Sequence, residues 1–375
     1  MKTLAAVLRA VTDQRPYSES RPLQLEELSL SAPRAGELLI RIEAAGVCHS
    51  DLSVVDGSRL RPLPMALGHE AAGVVEEVGP GGRDVKPGDH VVLCFVPSCG
   101  VCAECSSGRP ALCAPAAVVN AAGALLHGPP LLRDGEGKVV QHHLGVSGFA
   151  QRAVVARESV VVVPKEVPFP TAALFGCAVL TGVGAVLNTA AVRPGQSVAI
   201  FGLGGVGLAS VMGAVVANAG QIIAVDPVAS KRKLALELGA TAAFEPAEAE
   251  QAIKELTSGG AEVTFEAAGV PAVLEAAFRA ARRGGTTVAM GLPHPSRTLS
   301  LQALAFAGLG QSLLGSYMGS AAPQRDIPRY LALWRAGRLP VDRLQSASMP
   351  LQQINHAFEI LASGAAVRQI LLPHN

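Results

Sequence analysis

A short β-branched run, Ser197-Val-Ala-Ile-Phe201, leads directly into Gly202-Leu-Gly-Gly-Val-Gly207 and then into a small-residue stretch, Leu208–Asn218, that reads as a helix. Glycine turns are common in a chain with 40 glycines among 375 residues, so G-x-G-x-x-G alone says little. In strand–turn–helix order it constrains the backbone strongly. Gly202 permits the tight turn, Gly204 lets backbone approach a pyrophosphate, and Gly207 lets helix and sheet pack closely. The helix N-terminus, with Gly205 and Val206, then offers free N–H groups to the phosphates. A second β-branched run ends at Asp226, 24 residues after Gly202, where a carboxylate suits the adenosine ribose hydroxyls and repels a 2′-phosphate. That favours NAD over NADP. Lys231 and Arg232 are then expected beside the adenosine or on a solvated helix face. A plain glycine-rich turn is the alternative reading.

The texture around this turn extends it into a domain. From about Phe175 to Leu314 small-residue helices alternate with short β-branched runs at 197–201, 221–225, 262–265, 286–290 and 312–314. Such alternation predicts a doubly wound parallel sheet with helices on both faces. The first ~95 residues instead carry short alternating runs broken by Pro and Gly, such as Glu37–Glu43, and read as antiparallel strands. Strands resume at 153–156 and 159–163, residues 114–148 read as loop, and two helices (326–336, 351–361) and a strand (368–372) end the chain. The length suits two domains with a cleft.

Four of the seven cysteines fall within Cys99–Cys113, spaced C-x2-C-x2-C-x7-C at Cys99, Cys102, Cys105 and Cys113. Thiolates this close can converge on one tetrahedral zinc, and a site with all four positions filled is structural. Disulfides between residues three apart are geometrically awkward, and the spacing lacks the ferredoxin pattern and its proline. Three cysteines remain: Cys48, Cys94 and Cys177. Cys48 stands in Gly46-Val-Cys-His-Ser-Asp51, Cys177 in Phe175-Gly-Cys177, and Gly68-His69-Glu70 lies between them. Two cysteines and one histidine make the open three-ligand set of a catalytic zinc. Each residue alone is more often a core residue, and the fold has to bring them together.

At this point the chain resembles a known family, essentially end to end: the zinc-dependent alcohol dehydrogenases of the medium-chain dehydrogenase/reductase superfamily. The motifs that carry the likeness are GVCHSD (46–51), GHEAAG (68–73), the four-cysteine lobe, FGCAVLTGVGAV (175–186) and GLGGVG with Asp226. The resemblance implies a β-rich, GroES-like catalytic domain (1–178 and 317–375, with the lobe at 94–115) and a Rossmann domain (179–316). It implies two zinc ions: a catalytic one on Cys48, His69 and Cys177, and a structural one on the four lobe cysteines. Glu70 matches an acid that can approach the metal, and Asp51 the carboxylate that orients the histidine ligand. Ser50 matches the hydroxyl that starts a proton relay, whose usual terminal histidine is here Ser53. His49 and Arg368 match cofactor-phosphate contacts, and Thr181 and Val206 match residues packing on the nicotinamide. Phe95, Leu112, Leu144, Leu292 and Tyr317 are candidate pocket walls, Leu292 also a cofactor contact. Cys94 has no counterpart and is expected to be a buried thiol.

The expected reaction is reversible hydride transfer between an alcohol, primary and aliphatic or aromatic, and NAD. A polyol dehydrogenase, or one whose nicotinamide stays bound and is recycled by a second carbonyl substrate, is the alternative within the superfamily. A noncatalytic, zinc-stabilised nucleotide sensor would lack one of the three ligands, and none is missing. Ala114-Pro-Ala-Ala117 stands where the glutathione-adduct branch carries an arginine, which argues against that chemistry. Arg59 and Arg61 near the expected pocket mouth suit an acidic substrate or a plain solvated loop. A net charge of +1 gives no reason to expect nucleic acid or a membrane surface as partner. The N-terminal apolar run, interrupted by Arg9, reads as a strand rather than a signal peptide, and no run suggests a membrane span. Clustered cysteines in odd number suit a reducing cytoplasm. Gln311–Ser316 at a sheet edge predicts a homodimer, with a tetramer as the larger assembly.

Overall fold

Strand Glu37–Val47 is buried on nearly every residue because both of its faces are covered, with Arg41 and Glu43 partly exposed. It pairs antiparallel with Ala71–Val78, Arg152–Ala156 and Arg368–Leu372. These belong to a seven-stranded sheet whose path runs Val160–Val163, His90–Leu93, Ala71–Val78, Glu37–Val47, Arg368–Leu372 and Gln345–Pro350. A closed barrel of Lys2–Leu8, Leu23–Leu30, Leu132–Arg133, Val139–His142 and Met65–Ala66 stands beside it. Val7, Leu28, Leu30, Leu132, Val140 and Val154 form part of the shared core, each at most 2% exposed.

The computed structural model describes residues 1–82 and 84–375, which divide into two compact units. The first is Met1–Cys177 with Ala322–Pro328 and Gln345–Asn375; the second is Ala178–Ala321 with Arg329–Leu344. Residues 317–321 and 329–344, which the sequence reading places in the catalytic domain, thus fold with the second unit. Residues 114–148 are not simply loop. Ala114–Ala122 is a helix with Pro in its first turn, stopped by Gly123 at φ 68°, and Leu132–Arg133 pairs with Val139–His142. The buried residues of that helix, Ala116 and Asn120, are four apart, a helical period that small and polar side chains disguise.

The second unit holds a six-stranded parallel sheet. Numbered along the chain its strands are Ser197–Phe201, Gln221–Val225, Ala242–Phe244, Ala261–Glu266, Ala281–Ala289 and Ser312–Gly315, and they lie in the order 3-2-1-4-5-6. That is the dinucleotide-binding order, with its topological switch between the first and fourth strands. The third strand, Ala-Ala-Phe, is too short and has no β-branched residue to mark it in the sequence. Ala199, Phe201, Ile223, Val225, Ile253 and Ala277 pack the core on one face of the sheet.

In the first unit, the Phe149 side chain is fully buried and meets the Phe358 ring edge-on at 6.2 Å. Its backbone N–H donates to Leu67 O and Gly148 N–H to Gly68 O, so this ring anchors the segment that leads into His69. Phe149→Ala is expected to cost about 3–5 kcal/mol, read as a lowered urea midpoint; a loss below about 1 kcal/mol would show that the ring is not an anchor.

Candidate metal centres and cofactor cradle

The helix His49–Val55 starts on a cysteine. Cys48 is its N-cap, its sulfur accepts the backbone N–H of Asp51, and Asp51 Oδ2 accepts the Cys48 N–H at 3.1 Å. This reciprocal cap fixes the thiol and the carboxylate on one turn. Asp51 Oδ1 then accepts the Nδ1–H of His69 at 2.8 Å, which leaves Nε2 as the ligating nitrogen. His69 follows Gly68, which has φ +95° and where a Cβ would sit 2.5 Å from Phe149 N, so only glycine lets the chain turn here. Cys177 follows Gly176, where a Cβ would meet Leu93 O at 2.3 Å.

These local constraints bring together residues far apart in sequence. One ligand atom each from Cys48, His69, Glu70 and Cys177 lies within 4.8 Å of the others, and all four residues are buried. Zinc bonds of about 2.05 Å to nitrogen and 2.3 Å to sulfur at tetrahedral angles put N and S about 3.6 Å apart. His69 Nε2 and Cys177 Sγ are 3.4 Å apart. The Cys48 thiol is held well below its ordinary range, first by hydrogen bonding from Cys177 and then by the Arg368 guanidinium, against the effect of burial. The donor set fits zinc, with Cys48, His69 and Cys177 as the residues that would hold it.

Glu70 is fully buried, and neither carboxylate oxygen has a hydrogen-bond partner. Burial pushes its carboxyl up to about 7, against the pull of Arg368, whose Nη2 lies 3.6 Å from Oε2. Gly46 makes the room, since a Cβ there would meet Glu70 Oε1 at 2.4 Å. Arg368, expected on cofactor phosphate, is only 4% exposed; its Nη1 donates to Val47 O at 3.1 Å and its charge faces Glu70. His49 is exposed, and Ser50 is half-buried, its carbonyl accepting the Ser53 hydroxyl at 2.9 Å. The Phe95 ring stands edge-on to His69 at 5.4 Å, and Leu144 is buried, whereas Leu112 is half exposed on the lobe. Leu292 and Tyr317 belong to the second unit and are partly exposed there. Cys94 is fully buried, and burial pushes its thiol up to about 12, as suits an inert core residue.

The lobe gathers its four sulfurs within 4.8 Å of one another. Tetrahedral zinc with 2.3 Å bonds puts sulfurs about 3.8 Å apart, and Cys102 Sγ and Cys113 Sγ are separated by 3.9 Å. The Cys99 N–H donates to Cys113 Sγ at 3.3 Å, and hydrogen bonds led by the Val101 N–H lower the Cys99 thiol to about 7. No disulfide joins any of the seven cysteines. This set also fits zinc, and it leaves no protein-free position. Sequence reasoning missed how the lobe connects inward: Asn120, on the helix that follows Cys113, donates from Nδ2 to Phe95 O at 2.8 Å.

In the second unit a Cβ at Gly207 would sit 1.8 Å from Gly202 O, while at Gly204 it would meet nothing within 4 Å. The first glycine is thus demanded by packing, and the second faces open space at the N-cap of helix Gly205–Val216. Asp226 Oδ2 accepts the Leu203 N–H at 2.7 Å and Oδ1 the Val228 N–H at 2.8 Å, so the carboxylate ties the glycine turn to the second strand. Arg232 is committed to Asp226 O, Pro227 O and Glu245, and Lys231 is half-buried on the same helix. Helix Ala178–Gly184, carrying Thr181, lies against the start of the glycine-turn helix: a Cβ at Gly182 would be 2.2 Å from Val206 O. A further residue not anticipated is Glu266. Its buried Oε1 accepts the N–H groups of Ala268 at 2.7 Å and Gly269 at 2.6 Å, shaping the turn after the fourth strand.

Comparison with known proteins agrees with this geometry. Residues 34–165 match the alcohol dehydrogenase GroES-like domain and residues 205–335 the zinc-binding dehydrogenase domain. An NDMA-dependent alcohol dehydrogenase of Amycolatopsis methanolica is 40% identical over 99% of both chains. A geraniol dehydrogenase of Castellaniella defragrans is 40% identical over 98% of this chain and 97% of its own. The crystal structure of benzyl alcohol dehydrogenase from Acinetobacter calcoaceticus superposes with a TM-score of 0.90 at 32% identity, over 99% of each chain. The chain therefore belongs to the zinc-type medium-chain alcohol dehydrogenase family of oxidoreductases.

Proposed function

We propose that this protein is a zinc-dependent dehydrogenase that moves hydride reversibly between a primary alcohol, aliphatic or aromatic, and NAD. The observation that carries the reading is the buried Cys48, His69 and Cys177 set, whose ligand atoms lie within 4.8 Å of one another, with His69 Nε2 3.4 Å from Cys177 Sγ and the His69 ring oriented by Asp51. Zinc held there supplies a Lewis acid that favours loss of the alcohol's hydroxyl proton. Bound nicotinamide supplies the hydride acceptor. The remaining work falls to side chains. Asp51 keeps His69 in the tautomer that presents Nε2. Phe95 and Leu144 give the site apolar walls, which favours carbon-rich alcohols over polyols. Relatives named for geraniol and benzyl alcohol support that choice. Ser50 relays the hydroxyl proton, giving up its own as it accepts the alcohol's, and because Ser53 is no base near neutral pH, water is the final acceptor.

The preference for NAD over NADP is supported by Asp226 at the end of the second strand, a carboxylate that would repel a 2′-phosphate, and by the engagement of Arg232 with Asp226 O and Glu245. A relative named NDMA-dependent favours a second reading, in which the nicotinamide stays bound and a second substrate recycles it. Unpaired cysteines suit a reducing cytoplasm. Among the described residues no helix is long and apolar enough to cross a membrane. Among the described residues strand Ser312–Gly315 ends the sheet with one neighbour, and Leu314 on it and Leu304 and Phe306 on the preceding helix are exposed, which suits a homodimer formed through this edge.

Three measurements test these readings. With a panel of alcohols and added NAD, absorbance of NADH should rise fastest with benzyl or hexyl alcohol. Cys48→Ala should abolish the rise and remove one of two zinc ions, a larger loss than the 10–100-fold typical of residues behind the ligands. A preference for polyols would overturn the substrate class, and turnover without released NADH would select the bound-nicotinamide reading. In calorimetric titrations, Gly207→Ala should weaken NAD binding about tenfold, roughly 1.4 kcal/mol, and NADP should bind more weakly than NAD to the native protein. Light scattering should give the mass of a dimer; a monomer would refute the edge pairing.

A further inference from the structure

The carboxylate that orients His69 has a second imidazole at its side. His143 is 1% exposed, and its Nδ1 lies 3.2 Å from Asp51 Oδ1, the same oxygen that receives His69 Nδ1–H. The contact falls short of the alignment of a full hydrogen bond, and His143 Nδ1 has no other partner. A buried ring nitrogen with one acceptor in reach is a costly arrangement unless that acceptor takes its proton. The two imidazoles stand nearly perpendicular, 87° apart with centroids at 5.7 Å, so both edges can address one oxygen without competing for space.

The backbone around His143 is shaped to present it. Its N–H donates to Ser147 Oγ at 3.0 Å, and its carbonyl accepts the Val146 N–H at 3.0 Å. Leu144 and Ser147 both lie at φ 50°, a left-handed conformation that non-glycine residues rarely adopt. Strain of this kind persists where the surroundings over-determine it. Apart from the His69 ring that it orients, Asp51 is held by its own helical turn, through the Cys48 N–H. A contact from a different strand connection supplies the missing restraint.

We propose that His143 is a positioning residue for the Cys48–His69–Cys177 zinc, acting through Asp51: it donates Nδ1–H to Oδ1 and locks the carboxylate, and hence the His69 ring, in ligating orientation. This rests on the zinc reading of that site. Its Nδ1 addresses the carboxylate behind His69, so its effect is on the stability and geometry of metal binding.

The test follows zinc release from the full-length protein to a chromophoric chelator. Wild type should release two ions in separate phases, one of them lost in Cys48→Ala. His143→Ala should speed release of that ion about tenfold, in the range for partners behind a ligand, with the lobe ion unchanged. His143→Asn, which places an amide N–H near the Nδ1 position, should restore most of the difference. In cobalt-substituted protein the ligand-field bands should shift in His143→Ala and return in His143→Asn. Equal release from wild type and His143→Ala, with Cys48→Ala still losing its ion, would overturn the role of His143 alone. Faster release of both ions in both His143 variants would show a general packing defect and overturn it as well. Unchanged metal content in Cys48→Ala would overturn the zinc reading itself.

Discussion

The first unit's chemistry depends on one carboxylate. Asp51 is fully buried, and a carboxylate is acceptor-only, so each of its oxygens needs a donor. Oδ2 takes the Cys48 N–H and Oδ1 the His69 Nδ1–H, with His143 beside it. Burial alone would raise this acid, yet it is held below its usual range by the His69 and His143 side chains. A single anion therefore joins the start of one helix, the end of a glycine turn and a strand connection from the barrel. Losing a partner would leave a buried charge under-satisfied, which is far more costly than losing a surface pair. The same interaction that orients the ligand also holds the local fold.

The two four-residue clusters are built on opposite principles. The lobe takes its ligands from fifteen consecutive residues and sits half-exposed, so a metal held there would do the work of a core that so short a segment cannot form. The deeper set draws on residues up to 129 apart, 48 to 177, and is preformed by packing. There the glycines are spatial requirements: Gly46 clears space for Glu70, and Gly68 and Gly176 let the chain approach other backbone. Glu70 and Arg368 add a buried opposite-charge pair whose carboxylate oxygens stay free of hydrogen bonds beside the ligands. An acid so placed, with its carboxyl raised toward neutrality by burial, is available to whatever charge the site acquires.

Legibility in the sequence followed locality. The lobe was readable from spacing, and the glycine turn from its strand–helix context, because both are settled within about a dozen residues. The parallel sheet was readable from alternation, except for Ala242–Phe244, too short to leave a pattern. The Cys48, His69 and Cys177 set needed either the fold or a family likeness, since nothing in the intervening sequence says that these three meet. Helix Ala114–Ala122 was hidden by its composition, and Asn120 looked like a loop residue until its bond to Phe95 O appeared. Arg368 carried a motif-level expectation toward phosphate, and burial against Val47 and Glu70 gives it a nearer partner. His143, one of two adjacent histidines, offered only a doubled imidazole with no spacing to interpret; its meaning lies in a 3.2 Å contact across the fold.

The second unit turns on a similar use of an anion. Asp226 gives one oxygen to Leu203 N–H and the other to Val228 N–H, so the carboxylate proposed to meet a ribose also sets the curvature of the glycine turn. Each oxygen still has lone-pair capacity for a hydroxyl donor. A 2′-phosphate would instead bring acceptor against acceptor. Arg232, on the helix that follows, already donates to two backbone carbonyls and to Glu245. Replacing Asp226 with an apolar residue would remove both acceptors that hold the Leu203 and Val228 N–H groups. The residue that sets the charge at the end of the second strand is therefore also the one that shapes the turn.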